Sequence, residues 1–530
     1  MSTAAPETSE FKGWRAYLWP VHNYELKKLL PMLCIFFLIS FCYNILRTLK
    51  DPLVMHAKGS GAEVIPFIKV WVMFPCSVFM TFLFTRLSNH LSRERVFYLM
   101  TSLFLAFFVF YVAILYPNRT AIQPDTSTDY LRSLLPIGLG GMIAMFNNWT
   151  GTGFYVMAEL WGNIILFVLF WGFANQITRL NEAKRFYGLF GIGANFSGFV
   201  SGQLGVMMAK GAYNPNIPFG NTAWEQSLIL QVAAVTCAGV LAMLLFRWYN
   251  RVILTDDRYK PTEHQGDANG QKFKFSMRDN IATLFRSRYV LYIAIIMVAY
   301  NLVINLVEVL WKHQVKELYP DANAYNIYMN EVSSLIGVIA TFTALFISGN
   351  SIRKCGWTFT AMLTPVILFV TSIGFFGFFF MKEYGVNMLW TTISMSPLAM
   401  VVFFGSAQNV LSRASKYSVF DATKEMAFIP LSHEQKIKSK AAIDGVCSRL
   451  GKSGGALIHQ SLLVFFGSLS ASAPYVGVFL LTTIGIWGSV TYLLGRRFNA
   501  LVAPKARPPE PVKEAALGAE AMVLKEQQAV

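Results

Sequence analysis

The sequence predicts an all-α polytopic membrane protein with twelve transmembrane helices in two six-helix halves. Three observations predict it. Hydrophobic residues make up 54% of the 530 residues and charged residues only 14%, against about 25% charged in a soluble chain. Apolar runs recur along the chain at lengths that cross a bilayer core, for which about 20 residues suffice. Every second loop between those runs is basic, and the alternate loops are poor in Lys and Arg. With a mean hydropathy of +0.45 and 45 Phe residues, such a chain cannot cover itself with polar surface. This argues against a soluble enzyme, a fibre and a disordered protein.

Residues 1–28 are polar and mixed in charge, and read as a cytoplasmic segment. They resemble neither a signal peptide nor a long Arg/Ser-rich transit peptide. The first half, 29–247, holds apolar segments near 29–49, 62–87, 96–116, 149–178, 186–208 and 224–247. The stretch Leu134 to Thr178 is too long for one span and short for two. Its start reads either as an interfacial helix or as a tilted extension of the fourth span. A polar linker at 248–288 is followed by the second half, 289–495, with segments near 289–312, 327–349, 357–381, 387–411, 441–467 and 474–495. Residues 496–530 form a tail.

Loop charges set the orientation. Arg86, Arg93 and Arg95 follow the second span, Arg179, Lys184 and Arg185 the fourth, and Arg353 and Lys354 the eighth. Lys416, Lys424, Lys436, Lys438 and Lys440 follow the tenth. By the positive-inside rule both termini are cytoplasmic. Topology accounts for most of the net charge of +16; the remainder suits a basic pathway for an anionic solute rather than nucleic acid. The cysteines Cys34, Cys42, Cys76, Cys237, Cys355 and Cys447 lack metal-ligand spacing and are expected to be free thiols. No metal or cofactor is implied.

The halves echo each other. Tyr43-Asn44 in the first span matches Tyr300-Asn301 in the seventh, and Gly188, Gly191, Gly193 and Gly198 of the fifth have counterparts in Gly445, Gly451, Gly454 and Gly455 of the eleventh. Six plus six parallel repeats resemble the major facilitator pattern.

Ionisable groups inside apolar spans are costly and tend to face a cavity. Lys69, Glu159, Glu308, Asp444, Arg449 and Lys452 are so placed. Arg47, Lys50 and Lys312 lie near span ends, where snorkelling to the interface is the simpler reading. Lys69 is too far into its span for that. Glu159 is deep and needs a basic partner, a proton or a solute. Gly451-Lys452-Ser453 looks like the end of a phosphate loop, but Gly445 has five intervening residues rather than four and the segment starts as a helix. It is therefore not read as an ATPase loop. Seven scattered histidines give no cluster for a membrane enzyme.

The chain resembles the ATP/ADP translocases of the nucleotide transporter family, found in plastids and obligate intracellular bacteria. The resemblance covers about residues 25–500. It is carried by Leu46-Arg47-Thr48-Leu49-Lys50-Asp51, Pro66-Phe67-Ile68-Lys69-Val70-Trp71, Phe154-Tyr155-Val156-Met157-Ala158-Glu159-Leu160-Trp161-Gly162, Lys424-Glu425-Met426-Ala427-Phe428 and Leu450-Gly451-Lys452-Ser453-Gly454. It implies exchange of external ATP for internal ADP, with or without phosphate, and without hydrolysis. It also implies that Lys69, Glu159, Glu308 and Lys452 meet the substrate, with Lys416, Lys424 and Lys440 competing for the last role. Arg47, Lys50, Tyr155, Asn301, Asp444 and Arg449 are further candidates. Tyr155, Trp161 and Phe154 suit either adenine stacking or packing. Other nucleotides, NAD, or a proton-coupled organic anion are alternative cargoes. The expected carrier is a monomer surrounded by membrane lipid, in a bacterial inner membrane rather than a plastid envelope.

Overall fold

The computed structural model describes residues 21–178, 180–256, 284, 286–383 and 395–502. Among these the regular structure is helical, with no β-strand. A bilayer core offers the backbone no hydrogen-bonding partners, so a spanning segment must satisfy its own amides within a helix or a closed barrel. The long helices are, in chain order, α1 (Asn23–Met55), α2 (Val64–His90), α3 (Arg93–Leu115), α4 (Trp149–Ile177), α5 (Leu180–Ala209), α6 (Ala223–Ile253), α7 (Arg288–Leu318), α8 (Ala322–Phe346), α9 (Lys354–Glu383), α10 (Pro397–Ser415), α11 (Ser448–Phe466) and α12 (Leu469–Val502). Nine of these, all except α5, α10 and α11, are long and apolar enough to cross a membrane by composition. The other three stand where the fifth, tenth and eleventh spans are expected, and carry the glycines and charges that lower their hydropathy.

Boundaries differ from the sequence reading at identifiable places. The ambiguous start of the fourth span is a separate short helix, Gly140–Asn147, ended at Asn148 before α4 begins. The Asn148 amide donates to the Ala144 carbonyl at 3.0 Å and the backbone turns there. α10 begins ten residues later than expected, with Ser396 capping Ala399 and Pro397 in the first turn; residues 387–394 lie outside the described residues. α6 continues through a π-helical turn to Ile253, so the linker starts later than 248. Linker residues 257–283 and 285, and the tail beyond Val502, lie outside the described residues.

One end of the bundle, here the basic end, gathers Arg93, Arg95, Arg185, Arg251, Lys416, Lys424 and Lys440. At the opposite, far end, loops are pinned by local pairs such as Lys58–Asp125 at 2.9 Å and Arg119–Glu225 at 3.0 Å. The hydrogen bond from Lys58 holds the Asp125 carboxyl below the ordinary carboxylate range.

Within the first half, α1 packs against α4, α5 and α6; within the second, α7 packs against α10, α11 and α12. The halves meet along α5–α8, α1–α8 and α2–α11. Small residues let the α5–α8 backbones approach. A Cβ added at Gly202 would come within 2.6 Å of the Asn330 carbonyl, and one at Gly337 would collide with the Phe199 backbone. The residues in this seam, 195–209 and 323–337, belong to the far-end portions of their helices. Cross-seam hydrogen bonds run from Thr48 to Asn330, Asn326 to Thr48, Gln231 to Asn326 and Gln203 to Ser334.

Candidate functional site: a charged layer between the halves

α7 carries Asn301, Asn305, Glu308, Lys312 and Lys316 at spacings of four, three, four and four residues. Such spacing places all five on one helical face. That face meets the first half. Lys69 Nζ, on the π-helical turn Ile68–Met73 of α2, donates to Asn305 Oδ1 at 2.8 Å and lies 3.6 Å from Glu308 Oε2. One turn farther out, Lys312 Nζ lies 2.8 Å from Asp51 Oδ2 of α1 and 3.0 Å from Glu308 Oε1 of its own helix. One more turn out, Lys316 Nζ donates to the carbonyls of Met55 and Ser60, both at 2.7 Å.

The first half completes the layer. Lys50 Nζ lies 3.0 Å from Asp51 Oδ1 and 3.2 Å from Glu159 Oε1 of α4. It also sits 3.8 Å from the centre of the Tyr155 ring, a cation–π contact. From α10, Arg413 reaches Glu308 Oε1 at 3.5 Å and donates from Nε to Asn409 Oδ1 at 2.8 Å. Lys50, Lys69, Lys312 and Arg413 thus face Asp51, Glu159 and Glu308, four cations against three carboxylates. An isolated charge away from water is strongly disfavoured. The carboxylates therefore let the cations stay charged inside the membrane.

Exposure sorts the layer. The Asp51, Lys312 and Lys50 side chains are 1%, 2% and 3% exposed, whereas those of Lys69, Glu159 and Glu308 are 20%, 29% and 15% exposed. The second group is therefore reachable. α11 borders the layer from the second half. Its residues 452, 459 and 463 share a face by helical periodicity. His459 and Leu463 are buried on that face, with His459 Nε2 bonded to the Leu306 carbonyl. Lys452, two turns nearer the basic end, is exposed. That face packs against α7 at His459 and is exposed at Lys452.

Lys69, Glu159 and Glu308 thus come together in one layer, as their positions in separate spans suggested. Lys452 is an exposed residue of α11. Gly451 and Gly455 beside it pack on Asn301 and Asn305 of α7. Residues 451–453 are helical, so they form no phosphate-binding loop. Lys50 and Lys312 do not snorkel. α1 and α7 run farther than the apolar segments suggested, to Met55 and Leu318, which leaves both lysines buried and paired. Arg47 is half-buried on α1, and Asn301 is buried with its amide on the Met297 carbonyl. Tyr155, Phe154 and Trp161 are fully buried. Phe154 packs on Phe108 and Tyr111, and the Trp161 indole donates to the Ile39 carbonyl, so these two serve packing, whereas Tyr155 lies against Lys50. Arg449 is exposed. Asp444 pairs with Lys424 at 2.8 Å, Lys440 with Glu425 at 2.7 Å and Lys416 with Asp421 at 3.2 Å. These three pairs form a group of their own at the basic end.

Sequence reasoning missed Asp51, Asn305 and Arg413 as members of the layer, and assigned Lys312 to the interface. Signals existed. Glu308 and Lys312 are four apart with the acid first, the favourable order for a helical pair, and the polar stripe of α7 is periodic.

A two-part helical bundle with a layer of paired intramembrane charges between its halves is the architecture of a membrane transporter. Its fold is major-facilitator-like. It is similar to the crystal structure of a D-xylose–proton symporter (TM-score 0.52, 12% identity, 90% of this chain and 97% of that one). It is equally similar to a bacterial metal transporter (TM-score 0.52, 13% identity, 87% and 97%). At such identities the likeness concerns the fold alone. Residues 4–498 match the family described as TLC ATP/ADP transporter, and the chain belongs to that family. It is 45% identical over 500 residues to ADP,ATP carrier protein 1 of Chlamydia pneumoniae, covering 94% of this chain and 96% of the relative. It is 40% identical over 476 residues to the chloroplastic ADP,ATP carrier protein 1 of Arabidopsis thaliana, covering 90% and 74%.

Proposed function

We propose that the chain is an ATP/ADP antiporter that takes up ATP in exchange for ADP by alternating access, without hydrolysis and without enzymatic activity. Twelve spans in two halves, both termini in the cytoplasm and a place in a bacterial cell membrane complete the reading. The observation that carries it is Lys69. It is the most exposed of the layer's three lysines, and its carboxylate partner stands off at 3.6 Å. A phosphate oxygen entering from the cavity can replace that loose partner, while Glu308 keeps Lys312 at 3.0 Å and Arg413 at 3.5 Å. Lys452, on the α11 side of the cavity, supplies a second cation from the other half. Glu159 and Glu308 limit how tightly the polyphosphate is held, so that it is released after reorientation. The names of the two relatives, both ADP,ATP carriers, support the cargo.

Membrane vesicles containing the protein test this reading. Labelled ATP should enter rapidly when ADP is trapped inside and slowly when it is not. Equal uptake with and without trapped ADP would indicate a uniporter, and no uptake in either case would reject nucleotide transport. Inorganic phosphate trapped with ADP shows whether phosphate leaves alongside it.

A further inference from the structure

We propose that Asp51 and Lys312, with Lys316 above them, form the gate that holds the far end of the carrier shut. The rungs Glu308, Lys312 and Lys316 are one helical turn apart, about 6 Å along the α7 axis. Each reaches across the seam to the first half: to Lys69, to Asp51, and to the Met55 and Ser60 carbonyls. The innermost rung is partly exposed, with Lys69 20% and Glu308 15% exposed. The middle rung is sealed, with Lys312 2% and Asp51 1% exposed, and its cross-seam distance is the shorter at 2.8 Å against 3.6 Å. The outer rung places an ammonium on the last turn of α1, where helix carbonyls carry partial negative charge. The inner rung is thus the place where an anion can compete, and the outer two hold the helices together.

The pairing inside each half shows why this arrangement can open. When the halves part at the far end, Asp51 keeps Lys50 and Lys312 keeps Glu308. Neither ion of the middle rung is left alone, and water entering the opening hydrates the exposed faces, Lys69 of the inner rung included. The closed state is different, because there Lys312 is shut away from water and Glu308, its other carboxylate, is shared with Lys69 and Arg413, so Asp51 balances the remaining charge. Removing one member of a sealed ion pair leaves the other uncompensated, whereas replacing both by uncharged groups is often neutral. Asp51→Asn should therefore shift the carrier toward the far-open form, and Lys312→Met added to it should bring the closed form back. A residue that merely filled space would give no such reversal.

This inference rests on the alternating-access part of the proposed function and not on the identity of the cargo. The test uses the full chain in lipid nanodiscs without nucleotide, with the exposed cysteines Cys34, Cys237 and Cys355 replaced by alanine. Spin labels are placed at Ser133→Cys in the first half and Ala471→Cys in the second, both exposed at the far end. Dipolar distances between them should be short in the parent protein. Asp51→Asn should raise the ratio of long to short distances on the order of a hundredfold. Asp51→Asn/Lys312→Met should reverse most of that rise. Lys316→Gln, at the wetter rung, should shift the same ratio in the same direction by about tenfold. Parent-like distances in both Asp51→Asn and Lys316→Gln overturn the gate, as does a double variant as open as Asp51→Asn alone. If the distances behave as stated while vesicles show no ATP/ADP exchange, the gate stands and the cargo is wrong.

Discussion

Replacing Lys69 by Met removes the ammonium and keeps the length of the stem. The structure limits what else this does. Glu308 retains Lys312 at 3.0 Å and Arg413 at 3.5 Å, so no buried carboxylate is stranded. Asn305 Oδ1 loses one donor, at 2.8 Å in the parent. One net hydrogen bond contributes about 1 kcal/mol, so unfolding should move by no more than a few degrees. Bound nucleotide loses a charge-assisted contact of about 1.5–3 kcal/mol, roughly a ten- to hundredfold weaker Kd. AMP, with fewer phosphate charges, should lose less. Calorimetric titration of ATP and AMP into protein in nanodiscs, beside thermal unfolding of the same preparation, measures each quantity. Unchanged ATP affinity in a folded variant refutes the assignment. An equal loss for ATP and AMP means that Lys69 does not read the polyphosphate.

Lys452→Ala should weaken ATP binding by a similar ten- to hundredfold factor; normal titration by this variant would remove Lys452 from the site and leave Lys69 as the phosphate cation. Glu159→Gln and Glu308→Gln should slow exchange more than they weaken binding, as separate binding and vesicle-flux measurements would reveal. The Glu308 change should be the larger, because Glu308 serves Lys69, Lys312 and Arg413 whereas Lys50 keeps Asp51 when Glu159 is neutralised. Exchange of ATP for ADP moves about one net negative charge inward, on which 100 mV acts with about 2.3 kcal/mol. An inside-negative potential set with potassium and valinomycin should therefore oppose ATP entry when phosphate is absent, and trapped phosphate should weaken or invert that effect. Indifference to potential without phosphate would break either the charge accounting or the antiport assignment.

Much of the fold was legible because membrane insertion is written in composition and order. Apolar length marks a span, and the alternation of basic loops gives the parity of the helices. Neither depends on distant contacts. The fourth span was ambiguous because hydropathy does not register the break at Asn148, which is made by side-chain and backbone hydrogen bonding. α10 was misplaced because an apolar run near its start masked the cap at Ser396. In the site, Lys69, Glu159 and Glu308 stood out because a charge in mid-span has few innocent explanations. Lys50 and Lys312 did not, because a lysine near the end of an apolar run looks the same whether it reaches for water or for a buried acid.

The sequence by itself therefore determined that this chain is a helical membrane protein, roughly where its helices lie, and which ionisable groups are too deep to be incidental. Its motifs also carried the resemblance to nucleotide carriers. Which charge meets which was decided by tertiary structure alone. Lys69 and Asn305 are 236 residues apart in sequence yet 2.8 Å apart in space. Asp51 is pinned by Lys50 beside it and by Lys312 from the other half. Pairing of this kind depends on the register of α7 against α1 and α2, which the packing of many apolar side chains and seam glycines sets. A local pattern can show that a charge needs a partner; only the packed seam supplies one.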